Sequence, residues 1–294
     1  DASVTSDEQN NRILIINNQA IVSYYPRFDQ TEQRNFGALP ADFRITDAVF
    51  DPYLQQCYIF NPKWTSRSEE KQENLAFAFM GNADQRNYLH HNIFFSAAGE
   101  IYQFGGYANH AYSGKVSRYD TEKQQWEFVD FSGDRITPRY YSAVGDGVNP
   151  DEKLLFGGFG NETGRQEHGG RNLYDLHVLN ISKKTISRLW RFKELPKMEF
   201  VPGNNLILSK DKKSFYALCY AHHMPRTTGY LYCFDIQDGS YEIMSDSINF
   251  TSEDMNTSVN LFFNKQMNEF YAVVREFSDK NKENNIQIYA LMSP

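Results

Sequence analysis

The sequence predicts an all-β fold: a six-bladed β-propeller of four-stranded antiparallel blades, with the last blade lacking one strand. Three observations predict it. One short apolar pattern recurs along the whole chain. Each copy is flanked by further strand-like runs, across turns that carry Asp, Asn, Gly, Lys or Pro. Aromatic residues make up 15% of the 294 residues, with 23 Phe and 19 Tyr. These side chains favour a pleated, half-buried surface, and stretches rich in Leu, Ala and Glu are scarce.

The recurring pattern is apolar, apolar, any residue, apolar, then small or polar. It runs Ile13-Leu14-Ile15-Ile16-Asn17, Cys57-Tyr58-Ile59-Phe60-Asn61 and Ile101-Tyr102-Gln103-Phe104-Gly105. It returns as Lys153-Leu154-Leu155-Phe156-Gly157, Phe215-Tyr216-Ala217-Leu218-Cys219 and Phe270-Tyr271-Ala272-Val273-Val274. The spacing is about 50 residues, the length of one propeller blade. A second apolar run precedes each copy, for example Asp47-Ala48-Val49-Phe50 and Tyr141-Ser142-Ala143-Val144. A second hairpin follows it, marked by an aromatic or Leu and then Asp or Asn: Phe28-Asp29, Tyr119-Asp120, Leu179-Asn180 and Phe234-Asp235. An Asx side chain accepts from backbone N–H groups two residues on and pins such a turn. Leu75, Phe77 and Phe79 alternate with Ala76 and Ala78, a strand period, while the acidic Ser66–Glu73 stretch before them reads as loop.

One four-stranded sheet cannot bury its own faces. Six arranged radially can, leaving only short protected edges. The single propeller is placed over 1–294, with blades at about 1–44, 45–89, 90–139, 140–199, 200–256 and 257–294. The sixth ends on Ile286–Leu291 as its third strand. Its fourth is expected from a segment outside these residues, or its edge stays open. Flanking domains are expected too, because the chain begins at Asp1 without Met.

The charge balance is 30 Lys and Arg against 37 Asp and Glu, a net −7. No basic face for nucleic acid is expected from it. Mean hydropathy is −0.62 and there is no apolar run of about 18 residues, so no membrane span is expected within the chain. Cys57, Cys219 and Cys233 are an odd set inside apolar runs. They read as buried hydrophobes, not a disulfide framework.

In this frame the loops after each second strand, and those joining successive blades, share one face. The former are expected to be long, at about 61–73, 107–114, 159–171, 221–228 and 276–284. Long loops on a rigid scaffold are where binding usually resides. His110, His168, His222 and His223 fall in them, and His90 and His91 fall at a blade junction. His177 alone sits in a strand. Trp64, Tyr107, Tyr112, Arg165 and Arg226 share those loops, with Arg86 and Arg139 near blade junctions. The candidate ligand-binding set is therefore Trp64, Arg86, His90, Tyr107, His110, Tyr112, Arg139, Arg165, His168, His222, His223 and Arg226. Aromatic platforms with Arg and His donors suit a carbohydrate, anionic ones included, or a protein ligand. No catalytic residue, metal site or cofactor is expected: the chain carries no His-Glu-x-x-His, Cys-x-x-Cys, phosphate-binding Gly loop or Gly-x-Ser-x-Gly.

Residues 90–145 resemble a kelch repeat. Gly105-Gly106 end its second strand, Tyr119-Asp120 the third, Trp126 opens the fourth, and Pro138-Arg139-Tyr140 lead onward. Gly157-Gly158 repeat the diglycine, while Asn17-Asn18 and Asn61 stand in its place in the outer units. Kelch propellers include galactose oxidase, a copper enzyme, periplasmic N-acetylneuraminate mutarotases, and many pure binding modules. The copper site of the first needs a Tyr cross-linked to Cys, and the cysteines here belong to strands. The layout also resembles propeller ectodomains of Bacteroidetes envelope proteins. The resemblance implies a non-enzymatic ligand- or protein-binding propeller, a segment of a larger bacterial envelope protein, periplasmic or extracellular. The alternative it implies is a sugar-processing enzyme such as a sialic acid mutarotase-like epimerase, for which Glu162, Glu167, Arg165, His168 and Arg171 cluster in one loop.

Overall fold

The computed structural model describes residues 2–37, 39, 43, 45–61, 68–72, 75–81, 89–278, 280 and 283–291. Six sheets stand around a common axis. Blade one is the meander β1 (Ala2–Asp7), β2 (Arg12–Asn17), β3 (Ala20–Tyr25) and β4 (Gln30–Asn35). Its order follows polarity. The apolar β2 lies inside and is largely buried, while β4, Gln-Thr-Glu-Gln-Arg-Asn, is the mostly exposed edge. Charged edges of this kind resist pairing with other chains.

Blade two departs from the expected meander. It holds β5 (Asp47–Asp51), β6 (Gln56–Asn61), β7 (Ser68–Gln72) and β8 (Leu75–Gly81), in the order β5-β6-β8-β7. Within the stretch read as loop, Ser68–Gln72 is thus strand β7. Chain polarity explains the order. The apolar β8 takes the inner place, parallel to β6, and the all-polar Ser-Glu-Glu-Lys-Gln strand is left outside.

Blade three is β9 (Asn92–Phe95), β10 (Ile101–Phe104), β13 (Val116–Asp120) and β14 (Gln125–Val129). The small hairpin β11 (Tyr107–Ala108) and β12 (Ala111–Tyr112) grows from its rim. Blade four begins with β15 (Ser132–Gly133), which lies parallel along its outer strand. Its innermost position is split into β16 (Arg139–Tyr140) and β17 (Ala143–Asp146), both paired to β18 (Glu152–Gly160). Then come β19 (Arg171–Asn180) and β20 (Thr185–Arg191). Blade five repeats the split: β21 (Val201–Pro202) and β22 (Ile207–Leu208) pair with β23 (Ser214–Tyr220), followed by β24 (Thr227–Asp235) and β25 (Tyr241–Phe250). Among the described residues blade six has three strands, β26 (Ser258–Asn264), β27 (Glu269–Ser278) and β28 (Glu283–Leu291). The long loop expected at 276–284 is instead mostly strand, because β27 and β28 pair as far as Ser278 and Glu283.

Three of the four expected Asx turns are present. Asp120 and Asp235 each accept two backbone N–H groups, as at Asp120 from Glu122 and Lys123, both at 2.9 Å, and Asn180 accepts from Lys183 at 3.0 Å. Asp51 makes a further such turn, accepting from Tyr53 and Leu54. Asp29 differs: it adopts a left-handed backbone after a short 3-10 turn, with φ of 49°.

The core is divided among the seams between blades. Leu14, Ile16 and Ile21 meet Phe50, Ile59 and Phe77 between blades one and two. Phe60 and Met80 meet Ile101 and Tyr119 in the next seam, and Phe104 and Val116 meet Leu155 and Leu179 in the third. Phe156 and Trp190 meet Phe215 and Phe234 between blades four and five. Leu218 and Leu231 pack with Leu261 and Phe270, and Phe262, Tyr271 and Val273 with Ile13. Six such contacts in cyclic order close the ring. Cys57 and Cys219 lie in these seams, buried and unpaired, and burial pushes the Cys57 thiol up to about 12.

The diglycines have a mechanical reason. Gly157 and Gly158 have φ of 62° and 120°, where β18 bulges against β19. A Cβ on Gly158 would stand 2.8 Å from the Tyr140 carbonyl oxygen. Gly158→Ala is therefore expected to lower stability by about 1–3 kcal/mol, measured by urea denaturation. An unchanged midpoint would contradict this close-approach account.

Candidate functional site

The rim above blades three to five gathers aromatic rings and histidines. Hairpin β11–β12 supplies Tyr107 and Tyr112, β16 supplies Tyr140, β18 supplies Phe159, and the 221–226 connection supplies His222 and His223. Tyr112 stacks on Tyr140 with centroids 5.6 Å apart, and Tyr107 lies 5.4 Å from Tyr140. Tyr141 touches Tyr140 at 4.4 Å, His90 at 3.8 Å and His222 at 5.3 Å. Phe159 lies 4.9 Å from His222, and the Tyr140 hydroxyl is 3.3 Å from His223 Nε2. The backbone is strained where this cluster is built. His90, His110, Tyr141 and His223 have φ between 51° and 59°. A bulky residue at positive φ is uncommon, and such residues concentrate at functional sites.

The cluster is held uncharged. Burial lowers His90 to about 3 and His222 to about 4, and lowers His223 as well. Burial also raises the Tyr140 and Tyr141 hydroxyls. His90 donates from Nε2 to the Met255 carbonyl at 2.5 Å, which ties the blade two–three junction to the five–six junction. At neutral pH the cluster is therefore uncharged: Tyr112, Tyr140 and Tyr141 are buried in it, and Tyr107, Phe159, His222 and His223 form its solvent-facing part.

The remaining sequence candidates are distributed around it. His110 and Tyr107 converge on Gln166 Oε1, at 3.0 Å and 2.6 Å. His168 reaches Thr163 at 2.9 Å, and Arg165 pairs loosely with Glu167 at 3.4 Å. Buried Asn161 fastens that loop by bonding the carbonyls of Arg165 and Gly169. Arg226 is exposed, three residues beyond His223 in the chain. Arg139 is placed elsewhere, fully buried within blade four, where it binds both carboxylate oxygens of Asp175. Trp64 and Arg86 lie outside the described residues. In the Glu162–Arg171 loop, Arg171 pairs with Glu162 in the open.

Sequence reasoning missed Tyr140, Tyr141 and Phe159 as members of this rim. Tyr141 reads as a strand residue, Tyr140 as part of a blade junction and Phe159 as the first residue of a loop. The signal was the Tyr-Tyr pair at a blade junction, just past Pro138.

A polar channel runs down the axis, about 280 Å³ in volume. Its wall is a circuit of bonds between blades. Ser3 donates to Asp47 Oδ1 at 3.3 Å, and Asp47 Oδ2 lies 2.9 Å from His91 Nε2. Asn92 donates to the carbonyls of Ser142 and Asn204, at 2.8 Å and 2.7 Å. Asn204 donates to Asn260 at 3.2 Å, and Arg275 reaches the Ala2 carbonyl to rejoin blade one. Asparagine suits such a wall because one carboxamide both donates and accepts.

Among the described residues no group of three or more His, Cys, Asp or Glu is placed to hold a metal ion. None of their helices is long and apolar enough to cross a membrane. No curated protein matches the chain. The family model for the Kelch motif matches residues 96–130, the span of blade three from just after β9 to just after β14. That fold fits a binding or protein-interaction module. The matched motif and the six blades together support a kelch-repeat β-propeller.

Proposed function

We propose that the rim around Tyr107, Phe159, His222 and His223 is the recognition surface of a non-enzymatic binding propeller. In this reading the chain is an ectodomain segment of a larger envelope protein, periplasmic or extracellular, and the ligand is a carbohydrate or a protein segment. The uncharged, solvent-facing rings of Tyr107, Phe159, His222 and His223 carry the reading: sugar rings and protein side chains both stack on such faces. The exposed guanidinium groups of Arg165 and Arg226 offer forks for carboxylates. The Kelch motif match supports a binding role.

A glycan array and a displayed-peptide library, each probed with wild type and Tyr107→Ala, test it. Wild type is expected to select one set of ligands, and the half-buried Tyr107 to contribute as an interface aromatic does. Removing such a residue costs about 2 kcal/mol, roughly thirtyfold in affinity. Blank results on both would remove the recognition reading, and fractionation of the source cells checks the envelope setting. The sugar-processing alternative would use the channel mouth, where the Asp47 carboxylate lies 2.9 Å from His91. NMR exchange spectroscopy on N-acetylneuraminate is expected to show no faster anomer exchange with the protein than without it; acceleration would favour the enzyme.

A further inference from the structure

The buried arginines Arg12 and Arg139 each hold a carboxylate, and the half-buried Arg275 does not. Arg12 pairs with Asp7 at 2.8 Å and Arg139 with Asp175 at 2.5 Å. Arg275 lines the axial channel, and none of the ion pairs among the described residues includes it. Its Nη1 donates to the Ala2 carbonyl and its Nη2 to the Asn256 carbonyl at 3.3 Å, while Nε is buried without an acceptor. Two backbone carbonyls answer hydrogen bonds but bring no negative charge. A half-buried cation with no carboxylate paired to it keeps the capacity to take an anion. Asp47 is the carboxylate close enough to favour the charge, yet it is engaged by His91 and Ser3.

The cavity beside it is polar. Asp47, His91, Ser258 and Asn260 line it together with Arg275. Its volume of about 280 Å³ is just under the roughly 300–1,000 Å³ of pockets for drug-sized ligands. That is room for a molecule the size of a monosaccharide or an amino acid.

We propose that this channel mouth binds a small monoanionic hydroxy-carboxylate, its carboxylate on Arg275 and a hydroxyl toward Asp47. The charges choose the class. One guanidinium next to one carboxylate favours a single negative charge and repels a dianion. Asp47 accepts hydrogen bonds and so asks for a donor on the ligand. This site stands on Arg275 and the channel, and does not rest on the rim reading.

The test is calorimetric titration and thermal denaturation of the whole chain. The probes are sodium glycolate and sodium D-glucuronate, against glycolamide, D-glucose, sodium chloride and sodium phosphate. At least one carboxylate is expected to bind saturably and raise the melting temperature, with its neutral analogue and both inorganic salts silent. Arg275→Gln is expected to weaken that binding at least tenfold, and Lys193→Gln, an exposed cation on the outer rim of blade four, to leave it unchanged. Should Arg275→Gln fail to fold, Asp47→Asn provides the second reading, with a loss of preference for glycolate over acetate. The proposal is overturned by the absence of saturable carboxylate binding. It is equally overturned by phosphate or chloride matching the carboxylates, or by Arg275→Gln binding as wild type does. In the last case Arg275 is a clasp between blades six and one and nothing more.

Discussion

Arg139→Ala is expected to destabilise the protein by about 3–5 kcal/mol, because it strands a buried carboxylate. Arg139 is 0% exposed. It donates to Asp175 through Nη1 at 2.5 Å and Nη2 at 3.0 Å, to the Gly157 carbonyl at 2.9 Å and to the Thr137 carbonyl at 2.8 Å. Burial alone would raise the Asp175 carboxyl, but the charge and hydrogen bonds of Arg139 outweigh it and hold the group below its ordinary value. Remove the guanidinium and only the penalty remains. Differential scanning calorimetry should record a fall in melting temperature of about 10 °C. The double variant Arg139→Met, Asp175→Leu should recover much of it, since apolar replacement of a whole buried pair is often neutral or better. A single variant as stable as wild type would show that the pair contributes specificity alone.

Acid is expected to unfold the protein well above the range where carboxylates titrate. Burial lowers His177 and His222 to about 4 and His90 to about 3. A histidine held low in the native state takes up its proton more readily when unfolded. Its stabilising contribution is therefore complete above the unfolded value near 6.5 and is lost as pH falls from there toward 4. Each group contributes up to about 1.4 kcal/mol per pH unit in that window. His177, 1% exposed, should approach the limit, while His90 and His222 keep some solvent contact and fall short of it. Urea midpoints from pH 7.5 to 4.5 should fall by more than one proton's worth per pH unit, and His177→Leu should flatten the slope. A flat profile above pH 5 would mean these rings reach water in the native state.

Much of the architecture was legible because it is written locally. Apolar runs spaced by one blade length gave the inner strands, and Asp120, Asn180 and Asp235 gave turns after them. The order of blade two was not legible: Ser68–Gln72 carries no apolar pattern, and which of two candidate strands lies inside depends on the neighbouring blades. The lengths of β27 and β28 were hidden because Glu276 and Glu283 look like loop residues until paired across the hairpin. At the rim, spacing drew attention to His90, Tyr107, Tyr112, His222 and His223, which the fold then brings into one cluster. It could not separate Arg139 from Arg165, because the difference is the partner Asp175 inside the blade. Arg275 gave no signal, since what it touches is a backbone carbonyl at the far end of the chain.

The circuit of side chains around the axis also changes how the molecule should come apart. In a linear array of repeats, the end units melt first and independently. Here the last repeat is fastened to the first, so neither is a true end. Hydrogen exchange should find the most protected amides of all six sheets opening with one common free energy, and cutting the Arg275 link should split them into an early and a late group.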